Sequence, residues 1–170
     1  MGQPRDAGPV IAEAAARATL DALKARGWMA SAAESCTGGM VMAALTDIAG
    51  SSAVVDRGFV TYTNAAKQQM LGVGSETLAA HGAVSEQVAR EMAEGALAHS
   101  DAQVAVAITG IAGPGGSEHK PEGRVCFGLA VEGRETRTET IEFGAQGRAQ
   151  VRQAAALKAI NLLQIAANTV

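Results

Sequence analysis

Aromatic side chains make up 3% of this 170-residue chain, although 48% of it is hydrophobic. With few rings available, Ala and Val, with Gly between them, must fill the core, which implies helices lying close on a sheet. Cysteine is equally sparse: Cys36 and Cys126 are the only two, and they lack metal-ligand spacing. That excludes a disulfide framework and a zinc knuckle, and no metal or other cofactor is expected. Charge is low as well, 18% of residues with a formal net charge of -3. Such a balance gives no long-range attraction for phosphate backbones, so nucleic acid is excluded as the main partner.

Long apolar runs are also missing. None approaches the roughly 20 residues needed to span a bilayer, and no charged-then-apolar leader opens the chain, so no membrane association and a cytoplasmic location are expected. The start, Met1-Gly2-Gln3-Pro4-Arg5-Asp6, begins like a myristoylation signal but has Asp6 where Ser or Thr is required. Residues 1–9 are expected to form a flexible tail, and residues 10–170 a single domain, since domains usually hold about 100–200 residues. An Ala-rich domain with apolar helices is expected to form a homo-oligomer, a dimer in the first instance.

The patterning that is present alternates strands and helices. Val10 to Arg26 has helical spacing and ends at Gly27. Trp28 to Ala33 reads as a buried strand, followed by a tight turn and a helix from Met40 to Leu45. Ala53 to Thr63 carries strand formers, with Asn64 as cap for a helix from Ala65 to Leu71. Ser85 caps a helix reaching about His99, and Val104 to Ile108 is a fully apolar run suited to a central strand. After a loop rich in Gly and Pro, Thr109 to Pro121, come two strands, Val125 to Val131 and Thr136 to Phe143, joined by a hairpin at Glu132-Gly133-Arg134. A helix from Ala149 to Ala167 closes the chain. The expected fold is α/β, a three-layer α/β/α sandwich with a mixed, mostly parallel sheet.

Ligands of open α/β sheets gather where strands hand over to helices, and three segments have that position. Ser35 follows a strand and precedes Gly38-Gly39 and a helix, so amides without intrahelical partners share its surroundings. Many a Ser at a helix start is only a cap. Here Glu34, Thr37 and two glycines crowd one turn, which favours close approach of a ligand and makes Ser35 a nucleophile candidate. Cys36 reads as a packed thiol. His81, His99 and His119 form no Ser-His-Asp order, so a base must be sought among the lysines. Lys67 has Ala65, Ala66, Met70 and Leu71 around it in sequence, and burial by them would lower its pKa toward neutrality. A solvated surface lysine is the ordinary alternative, and spacing alone does not join Ser35 to Lys67. Ser117-Glu118-His119-Lys120 matches S-x-x-K, but glycines before it and Pro121 after it make it a loop. The second segment, Thr109-Gly110-Ile111-Ala112-Gly113-Pro114-Gly115-Gly116, is either a phosphate or ribose cradle or a mobile loop. In the third, Arg148 and Arg152 share a helix face near its start; they favour a phosphate there, or Arg152 is a surface charge.

Taken together, Ala33 to Gly39, Gly50-Ser51-Ser52, Gly58 to Asn64 through Lys67, His81 to Ser85, Thr109 to Pro114 and Lys120-Pro121 resemble the family of competence/damage-inducible protein CinA, C-terminal domain. The resemblance runs from about Ala12 to the last helix. It implies a nicotinamide-nucleotide amidase, yielding nicotinate mononucleotide and ammonia without a metal, in the stand-alone form that lacks the N-terminal domain of longer relatives. It also implies Ser35 as nucleophile, Lys67 as general base with an acyl-enzyme intermediate, and Tyr62 as a residue orienting Lys67 or the amide. Around a small nucleotide substrate it places Glu34, Thr37, Gly38, Gly39, Ser52, Thr109, Gly110, Gly113, Gly115 and Arg148. One departure is Lys120-Pro121-Glu122-Gly123-Arg124-Val125, where the family usually continues Lys-Pro-Val-Gly-Thr-Val, and the Gly-rich loop is slightly short. The altered Glu122 and Arg124 leave a rival reading open, a nucleotide-binding or interaction module that keeps the pocket without hydrolysis.

Overall fold

Period-two alternation along the strands decides how the layers pack. The structure, a computed structural model, describes residues 11–117 and 119–170. The tail expected over residues 1–9, the myristoylation-like start and Val10 lie outside the described residues. Five strands, β1 (Ala30–Glu34), β2 (Val55–Val60), β3 (Val104–Gly110), β4 (Arg124–Val131) and β5 (Arg137–Glu142), form one sheet in the order β2-β1-β3-β4-β5. Helices α1 (Ile11–Arg26), α2 (Met40–Thr46), α3 (Asn64–Leu71), α4 (Ser75–His81), α5 (Glu86–Ala98) and α6 (Arg148–Asn168) cover it. β1 runs parallel to β2 and β3, while β4 pairs antiparallel with both β3 and β5. Only β4 is reversed, which gives the expected mixed sheet with most strands in one direction.

Val104, Val106 and Ile108 of β3 and Val125, Phe127, Leu129 and Val131 of β4 pack with Leu23 of α1, Leu45 of α2 and Leu163 of α6. Ala33, Ala105, Ala107 and Ala130 face the other way, against Leu71 of α3, Leu78 of α4 and Met92 of α5. The second face is built from small residues, so α5 lies near the strands. A Cβ on Gly128 would fall 2.3 Å from the Ala89 carbonyl oxygen of α5. The scarcity of aromatics thus has its counterpart in close backbone approach. Among the described residues no helix is long and apolar enough to cross a membrane.

The crossovers from β1 to β2 and from β2 back past β1 to β3 place α2 on one face and α3, α4 and α5 on the other, as two crossovers of the same hand require. The carboxyl ends of β2, β1 and β3 therefore meet at one edge, with the switch in direction between β1 and β3. Several element limits differ from those the sequence implies. β2 is shorter, because a 3-10 turn at Ser51–Ala53 precedes it and Thr61 and Tyr62 leave the sheet. β3 extends through Thr109 and Gly110, which pair with Cys126 and Val125. Thr63, rather than Asn64, caps α3, its hydroxyl accepting from the Ala66 amide at 3.0 Å. The Ser85 hydroxyl caps α5 as expected, accepting from Val88. α4 was not expected: its short run lies between Gly74 and Gly82, where turn signals dominate.

Candidate active site

Ser35 leaves β1 at the switch point, its amide donating to the Ile108 carbonyl of β3 at 3.0 Å. The turn after it needs glycine: Gly38 has φ 57 and Gly39 φ 108, in the left-handed region where a side chain is strained. Lys67 enters from α3 on the opposite face. Its Nζ lies 2.9 Å from Ser35 Oγ and donates to the carbonyls of Thr61 at 2.9 Å and Tyr62 at 3.2 Å. Those carbonyls are available because the chain departs from the sheet after Val60.

Lys67 is 1% exposed and forms no ion pair with a carboxylate among the described residues. Burial holds its ammonium below the ordinary lysine range. The enclosure does not come from all the neighbours expected to supply it: Leu71 is buried, but Ala65 and Met70 are exposed. Nζ donates to all three oxygens; a neutral amine in the same place would keep its two N–H bonds to the carbonyls and turn its lone pair to the Ser35 hydroxyl. Cys36, next in the chain, has its thiol pushed up to about 11 by burial. A thiol so raised is a poor nucleophile at neutral pH.

Ser35 and Lys67 open onto a cavity of about 360 Å³ whose wall includes Tyr62, Thr109, Gly110, Gly113, Gly115 and Arg148, within the size range of ligand sites. Arg148, at the start of α6, donates from Nη1 to the Gly113 carbonyl at 2.6 Å and from Nη2 to the Tyr62 hydroxyl at 3.0 Å. One guanidinium thus ties the Gly-rich loop to the segment before α3. Thr109 is anchored too, its hydroxyl donating to the Ala83 carbonyl at 2.8 Å.

The other sequence candidates lie elsewhere. Glu34, Thr37, Gly38, Gly39 and Ser52 are not among the residues lining this cavity. Glu34 is buried and points its carboxylate at the start of α2, accepting from Thr37 Oγ1 at 2.7 Å and from the amides of Val41 at 2.9 Å and Met42 at 3.2 Å. An expectation drawn from the helix start changes accordingly: amides of α2 that were to face a ligand are taken up by this carboxylate. Ser52 sits exposed in the 3-10 turn. Sequence reasoning also missed the carbonyls of Thr61 and Tyr62, for which no side-chain signal exists.

Residues 12–166 match the family model described as the CinA C-terminal domain. The chain belongs to the CinA C-terminal domain family. Among similar curated proteins, nicotinamide-nucleotide amidohydrolase PncC of Escherichia coli (strain K12) is 58% identical over 136 residues, covering 79% of this chain and 82% of that protein. The protein of that name from Enterobacter agglomerans is 56% identical over 135 residues, again 79% of this chain and 82% of the relative. Among solved structures, competence/damage inducible protein CihA from Agrobacterium tumefaciens superposes with a TM-score of 0.91 at 50% identity, covering 97% of this chain and 100% of that one.

The departures from the CinA family pattern fall behind the cavity. Arg124 pairs with Glu142 at 2.6 Å. Glu122 fills the space beside Gly113, where a Cβ would fall 1.9 Å from its Oε1. Neither side chain lines the cavity itself. Arg152, the second arginine of α6, is turned away from it as well and donates to the carbonyls of Cys36 and Thr37.

Proposed function

We propose that this chain is a nicotinamide-nucleotide amidase that works through Ser35 and Lys67. The observation that carries the reading is the 2.9 Å approach of a buried, depressed lysine to a hydroxyl at the cavity floor. The names of the similar PncC proteins support the substrate. Lys67 takes the Ser35 proton as Oγ bonds to the carboxamide carbon. Collapse breaks the C–N bond, and nitrogen leaves as ammonia with the proton held on Nζ. Water then adds to the acyl-enzyme, giving its proton to Lys67, and the C–O bond to Ser35 breaks as Nζ returns that proton to Oγ, releasing nicotinate mononucleotide. Arg148, Tyr62 and the Gly110 to Gly115 loop hold the ribose and phosphate, with Thr109 fixing the loop. Tyr62 orients Lys67 through its carbonyl.

Ammonia release from the mononucleotide, its riboside and free nicotinamide, measured side by side, tests the reading. Turnover is expected to be fastest with the phosphorylated substrate and to vanish in a folded Ser35→Ala protein. Saturable binding of the mononucleotide without product would instead favour a binding module.

The lowered Lys67 pKa sets the pH dependence. Protonated amine cannot accept from Ser35, so kcat/KM is expected to rise with pH through an apparent pKa below the lysine reference of about 10.4. In the window between the lowered folded value and the unfolded one, the unfolded chain binds more protons, so stability also rises with pH there. A kcat/KM that stays flat with pH below and through that lowered value would contradict the base assignment.

A further inference from the structure

The turn that carries Ser35 is braced from two sides. Arg152 donates from Nε to the Cys36 carbonyl at 3.0 Å and from Nη2 to the Thr37 carbonyl at 3.4 Å. Glu34 holds the Thr37 hydroxyl from within. Most amides of this stretch are already committed. The Ser35 amide goes to Ile108, that of Gly38 to Ser35, that of Met40 to Thr37, and those of Val41 and Met42 to Glu34. The nucleophile's own N–H is thus unavailable to substrate. The amides of Cys36, Thr37 and Gly39 make no hydrogen bond to any other described residue. Buried N–H groups are rarely left so, because the lost partner costs free energy. Their places separate them: Thr37 and Gly39 do not line the cavity, whereas Cys36 lines it beside Ser35.

We infer that the Cys36 amide receives the oxyanion formed when Ser35 attacks the carboxamide, and that Arg152 is the positioning residue that holds the turn presenting it. The inference rests on the amidase reading. It accounts for why an arginine on α6 spends its donors on main-chain carbonyls at the catalytic turn. It also separates the two arginines of that helix: Arg148 lines the cavity, and Arg152 acts through the backbone. When Oγ bonds to the substrate carbon, the carbonyl electron pair moves onto oxygen, beside the one residue of the turn that both lines the cavity and has an amide without a partner residue. A donor fixed in advance favours that charge without reorganising as it forms.

The test compares wild type, Ser35→Ala, Arg152→Ala, Arg152→Lys and, in a Cys36→Ala background, an amide-to-ester exchange at position 36 that removes the N–H alone. The ester exchange is expected to lower kcat for the mononucleotide by roughly 10²–10³-fold, the effect of one lost oxyanion donor, with KM nearly unchanged. Arg152→Ala should lower kcat in the same direction, and Arg152→Lys should recover part of it, because one ammonium can still reach the Cys36 carbonyl. A nucleotide analogue with an aldehyde in place of the carboxamide, to which Ser35 adds as a hemiacetal, should lose affinity in the ester-exchanged protein by a factor similar to the loss in kcat. If Arg152→Ala fails to fold, the ester exchange and Arg152→Lys carry the test. Undiminished kcat in the ester-exchanged protein overturns the inference while leaving the amidase intact. Arg152 variants that change KM alone overturn the positioning role, since the side chain then holds substrate. A wild-type protein that releases no ammonia overturns the amidase reading and this inference with it.

Discussion

Lys67→Met is expected to lower kcat/KM for nicotinamide mononucleotide by roughly 10²–10⁴-fold, the range of a lost general base, in a protein that still folds. Methionine nearly matches lysine in length and keeps the apolar stem, so the buried volume around residue 67 is filled. Two effects on stability oppose each other. Removing an amine from a buried site relieves its desolvation. Against this, the carbonyls of Thr61 and Tyr62 lose their partner, at about 1–3 kcal/mol for each group left unpaired. The net shift is therefore small beside the change in rate. Lys67→Arg is the sharper companion. Arginine keeps the charge and the donors but does not deprotonate in proteins, so it should be nearly as inactive as methionine. A Lys67→Arg enzyme within tenfold of wild type would refute the role of a neutral amine, whatever the methionine variant does.

A large loss of stability is expected at Gly95, where two helices leave no room for a side chain. Glycine inside a helix is ordinarily a weak point, and its replacement by alanine gains about 1 kcal/mol. Here the sign reverses. A Cβ at residue 95 of α5 would lie 2.0 Å from the carbonyl oxygen of Leu71, at the end of α3. That oxygen belongs to backbone that no rotamer change can move aside. Overpacking of this kind costs about 1–3 kcal/mol, and a backbone clash belongs at the upper end, so Gly95→Ala is expected to lower Tm by roughly 6–12 °C, at about 2–4 °C per kcal/mol for a chain of this size. The strain falls on the helix that carries Lys67 one turn earlier, so kcat/KM should drop beyond what the unfolded fraction explains. A melting temperature equal to or above wild type would mean that α3 and α5 do not approach as closely as described.

Both predictions turn on contacts that reading along the chain does not reveal, and the boundary between what is legible and what is not follows physical lines. The run Val104 to Ile108 reads as a central strand because burial on both faces demands unbroken apolar residues, and β3 occupies it. Ser85 reads as a cap because its hydroxyl competes for nearby amides, and it caps α5. α4 escaped because seven residues framed by glycines carry too little periodicity to outweigh the turn signals. Glu34 belongs to the same recognisable block as Ser35, but a sequence block does not say which way a carboxylate points; its oxygens turned to the start of α2 instead of the cavity. Arg152 has the composition of a surface cation, and only its position on α6 turns its donors onto the Ser35 turn.

By itself the sequence determined the order of strands and helices, the alternation that builds two packed faces, the membership of the CinA C-terminal domain family, and the choice of Ser35 and Lys67 as chemically suited residues. Those properties are local, or are carried by ordered blocks of side chains. Tertiary structure alone decided that a hydroxyl and an amine 32 residues apart stand 2.9 Å from each other, and that the amine sheds its charge more readily than a free lysine. It also decided which carbonyls receive that amine, and backbone carbonyls are the same on every residue type, so only the path of the chain distinguishes them.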